Sequence, residues 1–184
     1  MRIIGGLSRG TKLYTLEGLN TRPTLDKVRE AIFNILQNKI SDTVVLDLFA
    51  GSGAVGLESI SRGAKKAILC DKNKQAIQII NKNAQKMRVE DKVQILCIDY
   101  ENFLSNTQEK FDFIYIDPPY NTDYISNSIK LINDRNLLAE EGIIIAETDE
   151  EERVKDEIDK LKTSINIYDT RKYGRARLIF MRKE

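Results

Sequence analysis

The stretch that decides the fold is Val44–Glu58, which reads Val-Val-Leu-Asp-Leu-Phe-Ala-Gly-Ser-Gly-Ala-Val-Gly-Leu-Glu. Its first residues form a short apolar run rich in β-branched side chains, which is typical of a strand buried on both faces of a parallel sheet. Gly51 and Gly53 let the backbone turn tightly and approach a ligand, because neither carries a Cβ. The apolar residues that follow predict a helix whose first N–H groups point into the loop. The stretch therefore predicts a strand, a ligand-binding loop and a helix.

The loop also matches the Gly-x-Gly-x-x-Gly pattern of dinucleotide-binding proteins, so the chemistry of the ligand has to be decided by its neighbours. Asp47 lies near the strand end, shortly before Gly51. A carboxylate there would repel a pyrophosphate and attract an ammonium group. S-adenosylmethionine carries an amino-acid end and no phosphate, so the pattern favours this cofactor over a dinucleotide. A glycine turn without any ligand is the remaining alternative.

Length and composition indicate one globular domain. The chain has 184 residues, 41% hydrophobic and 31% charged, enough for one ordinary core. No apolar run is long enough to cross a bilayer, and the first residues lack the apolar core of a signal peptide, so we predict a cytoplasmic protein. Histidine is absent, which excludes imidazole-based triads and the commonest zinc ligand, and we predict no metal. Cys70 and Cys97 are predicted to be reduced core thiols.

Charge is distributed unevenly although the net charge is only +1. Residues 1–40 carry seven basic and three acidic side chains, and residues 171–184 carry six basic and one acidic. Two basic ends can converge into a patch for a polyanion. A solvated mixed surface explains the same charges equally well.

Strands and helices alternate along the chain. Further strands are predicted at 66–71, 92–98, 111–116, 142–147, 165–170 and 177–182, and helices at 24–39 with Thr24 as N-cap, from about 73, after 100, and at 149–161. We therefore predict an α/β fold with a doubly wound, Rossmann-like sheet that is mostly parallel with an antiparallel edge. Residues 41–184 would form this core, and residues 1–40 a small N-terminal β-hairpin and helix, within a single domain spanning 1–184.

Acidic residues follow several of the predicted strands, notably Asp47, Asp71, Asp99 and Asp117. Ligands of doubly wound sheets bind outside the carboxyl ends of the strands. Asp71 follows Gly51 by 20 residues, close to the interval at which a carboxylate binds a ribose hydroxyl. The alternative is that Asp71 caps the next helix. Together the four carboxylates predict one ligand site at this rim.

Asp117-Pro118-Pro119-Tyr120 follows the predicted strand 111–116 directly. Two prolines there stiffen the backbone, because each fixes φ and lacks an N–H. Asp117 and the carbonyl group of Pro118 can each accept one N–H of an exocyclic base amine and aim its lone pair at an electrophilic methyl group. Tyr120 offers a face on which an extruded base can stack. This stretch predicts methyl transfer to a nucleobase amine.

These motifs resemble a known family. The glycine loop is similar to motif I of the class I methyltransferases, and Asp117–Tyr120 resembles motif IV of the amino-directed nucleic-acid methyltransferases. The stretch Thr21–Leu36 is similar to the leader of bacterial 16S rRNA guanine-N2 methyltransferases of the RsmD type, although Leu19 and Lys27 depart from the family's usual proline and arginine. The resemblance implies S-adenosylmethionine as methyl donor and a guanine of 16S rRNA as substrate, at position 966 in the family reaction.

The resemblance also implies roles for residues at matching positions. Catalytic roles fall on Asp117, Pro118, Pro119 and Tyr120. Cofactor binding falls on Asp47, Phe49, Gly51, Gly53, Asp71, Lys72, Asp99 and Tyr100, with Asp99 accepting from the adenine amine. Asp99 also suits the N-cap of the following helix, and the sequence does not separate these two roles. RNA contacts fall on Arg9, Lys12, Arg22, Arg29, Arg171 and Arg175. For Arg22 and Arg29 the alternative is an ion pair with a helix carboxylate such as Asp26.

Other functions stay open at this point. An adenine-N6 methyltransferase acting on DNA or RNA uses the same four-residue motif, but a sequence-specific DNA enzyme usually needs a separate target-recognition domain. A non-catalytic RNA-binding or assembly factor would share the fold but has no use for Asp117, and a dehydrogenase is a more distant alternative. The expected partner is 16S rRNA or an assembly intermediate of the small subunit, bound by a protein that we expect to be a monomer away from membranes.

Overall fold

The computed structural model describes residues 1–16 and 23–184, with the side chains of residues 23–25 excluded. The strands are β1 (Val44–Asp47), β2 (Lys66–Asp71), β3 (Val93–Cys97), β4 (Phe111–Ile116), β5 (Leu138–Thr148), β6 (Ile165–Tyr173) and β7 (Ala176–Lys183). The helices are α1 (Pro23–Ile35), α2 (Ala54–Ser61), α3 (Lys74–Met87), α4 (Tyr100–Asn106), α5 (Tyr124–Asp134) and α6 (Glu151–Lys160), with a 3₁₀ turn at Glu90–Lys92.

Within the described ranges, seven strands form one sheet in the order β3-β2-β1-β4-β5-β7-β6. β1 to β5 run parallel, and β7 runs antiparallel to both β5 and β6. This confirms the predicted Rossmann-like sheet with its antiparallel edge. The strand order reverses between β1 and β4, which opens a crevice at their carboxyl ends.

Apolar side chains alternate between the two faces of the sheet, as the two-residue period of a strand requires. Val45 and Phe113 belong to the core that is covered by the N-terminal segment, α1, α2 and α3. Leu46 and Ile114 belong to the opposite core, covered by α4, α5 and α6. Both faces are therefore shielded, which explains why the central strands are almost uninterrupted apolar runs.

The N-terminal segment is fastened to α2. Arg2 and Lys12 form one antiparallel bridge, so the predicted hairpin is present but its two predicted strands shrink to a single pair. Glu58, fully buried, accepts hydrogen bonds from the N–H groups of Ile4 and Gly5, both at 2.8 Å, and from Arg62 Nε at 2.7 Å. These side-chain contacts replace the backbone pairing that a longer hairpin would supply.

Three sequence predictions about local structure are wrong. Thr24 is not an N-cap, because α1 already begins at Pro23, and proline suits the first helical position since its missing N–H is not needed there. The same helix ends at Ile35 rather than 39, because the N–H of Lys39 turns back to the carbonyl group of Leu36 at 2.7 Å. Cys97 is exposed rather than buried, because it ends the edge strand β3.

Two further elements differ from the sequence prediction. α5 was not predicted at all, and β5 begins at Leu138, four residues before Gly142. Leu138 joins the strand because it pairs with Phe111 across an irregular register. Over the described part of the chain, no helix is long and apolar enough to cross a membrane.

Candidate active site

A cavity of about 880 Å³ opens at the carboxyl ends of the parallel strands, where the strand order reverses. It collects every residue predicted for cofactor binding or catalysis except Gly53. Those residues are Asp47, Phe49, Gly51, Asp71, Lys72, Asp99, Tyr100, Asp117, Pro118, Pro119 and Tyr120.

The glycine loop forms one wall of the cavity. Gly51 has φ +55°, a conformation that side chains rarely adopt, and a Cβ built on it would point into open space. Gly53 has φ +78° and lies behind the loop at the start of α2, where a Cβ would come within 3.0 Å of Leu69. The first glycine therefore leaves room for a ligand, and the second lets the helix pack against the sheet.

Asp71 stabilises this loop from the neighbouring strand. Its Oδ2 accepts from the N–H of Gly51 at 2.9 Å, and its Oδ1 accepts from the N–H of Asn73 at 2.8 Å. The N-cap of α3 is Asn73, whose side chain accepts from the N–H of Gln75, so the alternative that Asp71 caps this helix is wrong. Each carboxylate oxygen keeps a further acceptor position, which suits the two hydroxyls of a ribose.

Asp99 has two roles at the next strand end. Its side chain caps α4 by accepting from the N–H of Glu101 at 3.0 Å, and it also lines the cavity. The capping and cofactor roles that the sequence could not separate are thus compatible in the fold.

Aromatic side chains line the cavity beside these carboxylates. The ring of Tyr100 lies 5.3 Å from Phe49 and 4.9 Å from Tyr124, measured between centroids. The ammonium group of Lys72 lies 5.7 Å from the centre of the Tyr124 ring. The flat apolar walls suit an adenine ring, and the carboxylates beside them can accept hydrogen bonds from ribose hydroxyl groups. The cavity therefore fits an adenosine group, because it combines burial with a few fixed polar contacts.

A row of acidic residues crosses the floor of the cavity. Asp47 pairs in register with Tyr115, and Ile116 with Ala146, so the next residues, Asp117 and Glu147, lie side by side where β4 ends. The two-residue period places all of these side chains on the α1 face. Tyr115 donates its O–H to Glu147 Oε2 at 2.6 Å. The row thus contains the carboxyl groups of Asp47 and Asp117 at the switch point, and beside them that of Glu147, which Tyr115 orients.

Burial governs the ionisation of this row. It raises the pKa of Asp47 to about 7, helped by the nearby Asp71 and opposed by the N–H of Gly56 at 2.9 Å. Burial raises the pKa of Asp117 well above its ordinary value, and the charges of Glu147 and Asp47 add to the effect. The pKa of Glu147 also rises through burial, against the hydrogen bond from Tyr115. A ligand bringing positive charge or N–H donors would stabilise the ionised forms.

Arg29 lies inside the protein although the sequence placed it among RNA contacts. It is 4% exposed, and its Nη2 donates to the carbonyl oxygen of Arg2 and to Asp26 Oδ1, both at 2.7 Å. Burial lowers the pKa of its guanidinium, while Glu58 and Asp26 oppose that change. Arg29 also lines the cavity, so it faces the site rather than the outer surface.

The other predicted RNA contacts are spread out. Arg175 is exposed and lines the cavity, whereas Arg9 and Lys12 are exposed on the N-terminal segment away from it. Arg171 is exposed and pairs with Asp169 at 2.8 Å. Arg22 lies outside the described residues. Arg175 is therefore the exposed member of this set that the structure brings to the cavity.

The structure also brings Tyr115, Tyr124 and Glu147 to the cavity, and the sequence analysis had not assigned these residues to the site. Glu147 carried a signal, because it ends a predicted strand just as the other acidic candidates do. Tyr124 carried none, since the helix that presents it was not predicted. Tyr115 resembled an ordinary core residue until its partner across the sheet was known.

Comparison with known proteins agrees with this architecture. The family model described as "Conserved hypothetical protein 95" matches residues 1–182. "Putative rRNA methyltransferase YlbH" of Bacillus subtilis is 37% identical over 82% of this chain and 84% of its own. "Ribosomal RNA small subunit methyltransferase D" of Escherichia coli K12 is 36% identical over 82% of this chain and 76% of its own.

A solved structure is also similar to this chain over its whole length. "Putative methyltransferase yhhF from Escherichia coli" superposes with a TM-score of 0.86 at 32% identity, covering 100% of this chain and 98% of its own. The predictions of the family, of methyl transfer and of S-adenosylmethionine as the family's cofactor are confirmed. The chain belongs to the RsmD-type family of S-adenosylmethionine-dependent rRNA methyltransferases.

Proposed function

We propose that this protein methylates the exocyclic N2 amine of a guanine in 16S rRNA, at position 966 as in the family reaction. The observation that carries the proposal is the position of Asp117. This half-buried carboxyl group follows β4, with Pro118 beside it, and lines the same cavity as the glycine loop, Asp71 and Asp99. The two acceptors for the target amine and the residues that would contact adenosine therefore lie in the same cavity.

The residues present fit S-adenosylmethionine, which supplies a methyl group on a positively charged sulfur. Asp47 would face its ammonium group, because a buried carboxylate strongly prefers a positive partner. Asp71 would accept from the ribose hydroxyls. Asp99 would accept from the adenine amine, between the Phe49 and Tyr100 side chains.

Asp117 and the carbonyl group of Pro118 would hold the target amine by its two N–H groups. An exocyclic amine is a poor nucleophile, because its lone pair is delocalised into the ring. Two fixed acceptors localise that lone pair, and the two prolines keep them from moving during the reaction. The raised pKa of Asp117 also suits its carboxylate to take the proton that the amine must lose.

RNA binding would use the exposed residues around the cavity. Tyr120 is 61% exposed and lines the cavity, where its ring can stack on an extruded base. Arg175 also lines the cavity. Arg9, Lys12 and Arg171 would contact phosphates further out, and Arg22 is proposed on the resemblance alone. The substrate would be 16S rRNA or a small-subunit assembly intermediate in the cytoplasm.

Mapping of rRNA methylation tests the proposal. Cells lacking the gene should lose one N2-methylguanine from 16S rRNA, detected by primer extension and mass mapping. A plasmid carrying the wild-type gene or the exposed-surface variant Asp156→Asn should restore it, and Asp117→Ala should not. Loss of an N6-methyladenine instead, or unchanged rRNA, would refute guanine-N2 methylation.

A further inference from the structure

We propose that a basic surface beside the cavity binds a single-stranded stretch of the RNA substrate, with Tyr14 stacking on one of its bases. This Tyr14 surface consists of five exposed residues, namely Arg2, Lys12, Tyr14, Lys82 and Lys86. The inference rests on the proposed function, because it assumes that the substrate is RNA. It assigns RNA contacts to Tyr14 and to α3, neither of which has one so far.

Tyr14 is held in place although it is 50% exposed. Its N–H donates to Asn83 Oδ1 at 2.7 Å, and its carbonyl oxygen accepts from Asn83 Nδ2 at 3.0 Å. Asn83 is fully buried on α3 and also donates to the carbonyl oxygen of Ser52, in the glycine loop, at 2.9 Å. A flat ring on a fixed backbone suits stacking by a base, because little motion has to be frozen.

The positive charges of the Tyr14 surface lie in pairs that repel each other. Lys82 and Lys86 are one turn apart on α3, a spacing at which like charges destabilise a helix. Arg2 lies opposite Lys12 in the antiparallel bridge, where like charges are also destabilising. Among residues 1–16 and 23–184, no ion pair involves these four side chains, and neither residues 1–16 nor α3 contains an acidic residue. A polyanion would neutralise both pairs.

Tyr14 connects these charges to the cavity. The ammonium group of Lys86 lies 4.8 Å from the centre of the Tyr14 ring, and its flexible stem lets it move to a phosphate when a base takes its place. Leu13 is buried, so the two-residue alternation of an extended segment turns Lys12 and Tyr14 outward together. Thr15, the next residue, lines the cavity. RNA that leaves the cavity therefore meets the ring and the cations at its edge.

The combination of a ring and cations decides the class of partner. Proteins that bind single-stranded nucleic acids use cations to neutralise phosphates and aromatic rings to stack on bases. An acidic protein segment would pair with the cations but would leave the ring without a flat partner. The Tyr14 surface therefore fits single-stranded RNA better than an acidic protein.

The salt dependence of RNA binding tests the cations. Lys82→Gln combined with Lys86→Gln should reduce the slope of log affinity against log salt by about 1 to 2, measured by filter binding of a 16S rRNA transcript. Lys110→Gln combined with Lys160→Gln removes the same charge from exposed positions before β4 and at the end of α6, and should leave the slope unchanged. An unchanged slope in the α3 variant, or an equal reduction in the control, would contradict the phosphate contacts.

Substitutions of Tyr14 test the stacking. Tyr14→Ala should weaken RNA affinity about 5- to 100-fold at constant salt, whereas Tyr14→Phe should keep it, because that change retains the ring. The chain contains no tryptophan, so Tyr14→Trp also provides a fluorescent reporter at this position alone. The 16S rRNA transcript should quench its emission, and heparin, a polyanion without bases, should not. Equal quenching by both, or none by RNA, would contradict stacking.

The outcomes separate the inference from the proposed function. Wild-type affinity of the Tyr14→Ala and α3 variants for protein-free 16S rRNA would overturn the inference, while guanine-N2 methylation would stand. Weakened binding only to small-subunit particles that contain proteins would also overturn it, because the surface would then bind a protein. Failure of the wild-type protein to methylate any guanine in 16S rRNA would instead overturn the proposed function itself.

Discussion

Asp47 is expected to destabilise the free protein at neutral pH. Its side chain is 1% exposed, and burial raises its pKa from 3.8 to about 7. The folded state therefore holds a proton that the unfolded chain has already lost between about pH 4 and pH 7. Stability falls as pH rises through this window, and a shift of about 3 pKa units at about 1.4 kcal/mol each amounts to about 4 kcal/mol.

Replacing Asp47 by Asn should remove this penalty. In the wild-type protein the N–H of Gly56 donates to Asp47 at 2.9 Å, and the amide oxygen of an asparagine can accept the same hydrogen bond. The NH₂ group of that asparagine would have no partner, which costs about 1–2 kcal/mol. Asp47→Asn should thus be more stable than wild type by about 2–3 kcal/mol at pH 8 and nearly equal at pH 5, where the penalty is only about 1.6 kcal/mol.

Urea unfolding of the ligand-free proteins at pH 5 and pH 8 measures this difference. Asp156→Asn, exposed on α6, is the matched control and should change stability by less than about 0.5 kcal/mol at both pH values. An equal effect of Asp47→Asn at the two pH values, or a less stable variant at pH 8, would refute the reasoning.

Cofactor binding should respond in the opposite direction. An ammonium group beside Asp47 favours the ionised carboxylate, so wild-type affinity for S-adenosylhomocysteine should weaken below about pH 7 by up to about tenfold per pH unit. Asp47→Asn should bind more weakly at pH 8 and show a flatter pH dependence. Calorimetry of S-adenosylhomocysteine binding between about pH 5 and pH 8 measures this difference. The same pH dependence of affinity in wild type and Asp47→Asn would contradict an ammonium contact.

Three more variants separate cofactor binding, chemistry and RNA binding. Asp117→Asn should slow single-turnover methyl transfer about 10²- to 10³-fold with cofactor affinity unchanged, because it loses the charge at the amine, and a wild-type rate would make the motif a structural turn. Asp71→Ala should weaken S-adenosylhomocysteine binding by about 1–3 kcal/mol in calorimetry, and unchanged binding would exclude the ribose contact. Arg9→Ala with Lys12→Ala should flatten the decrease of RNA affinity with salt in a filter-binding titration, whereas an unaltered slope would place the phosphates elsewhere.

Most of the fold could be predicted because its signals are local. β2 and β4 were placed at their observed bounds, Lys66–Asp71 and Phe111–Ile116, since apolar runs that end in acidic or proline residues mark buried strands. α5 (Tyr124–Asp134) was not predicted, so Tyr124 was missed with it. Hairpin length was overestimated, because the buried carboxylate of Glu58 pairs with backbone N–H groups that a strand would have used.

By itself, the sequence determined the class of site, because a parallel sheet brings the ends of its strands to one rim and each candidate carboxylate follows a strand. Only the tertiary structure decided which side chains share that rim with Asp117. Glu147 became its neighbour because β4 and β5 pair in the sheet, and Arg29 turned from a surface candidate into a buried donor because α1 packs over that face. Strand order and helix packing join residues that lie far apart along the chain, and no local pattern records such pairs.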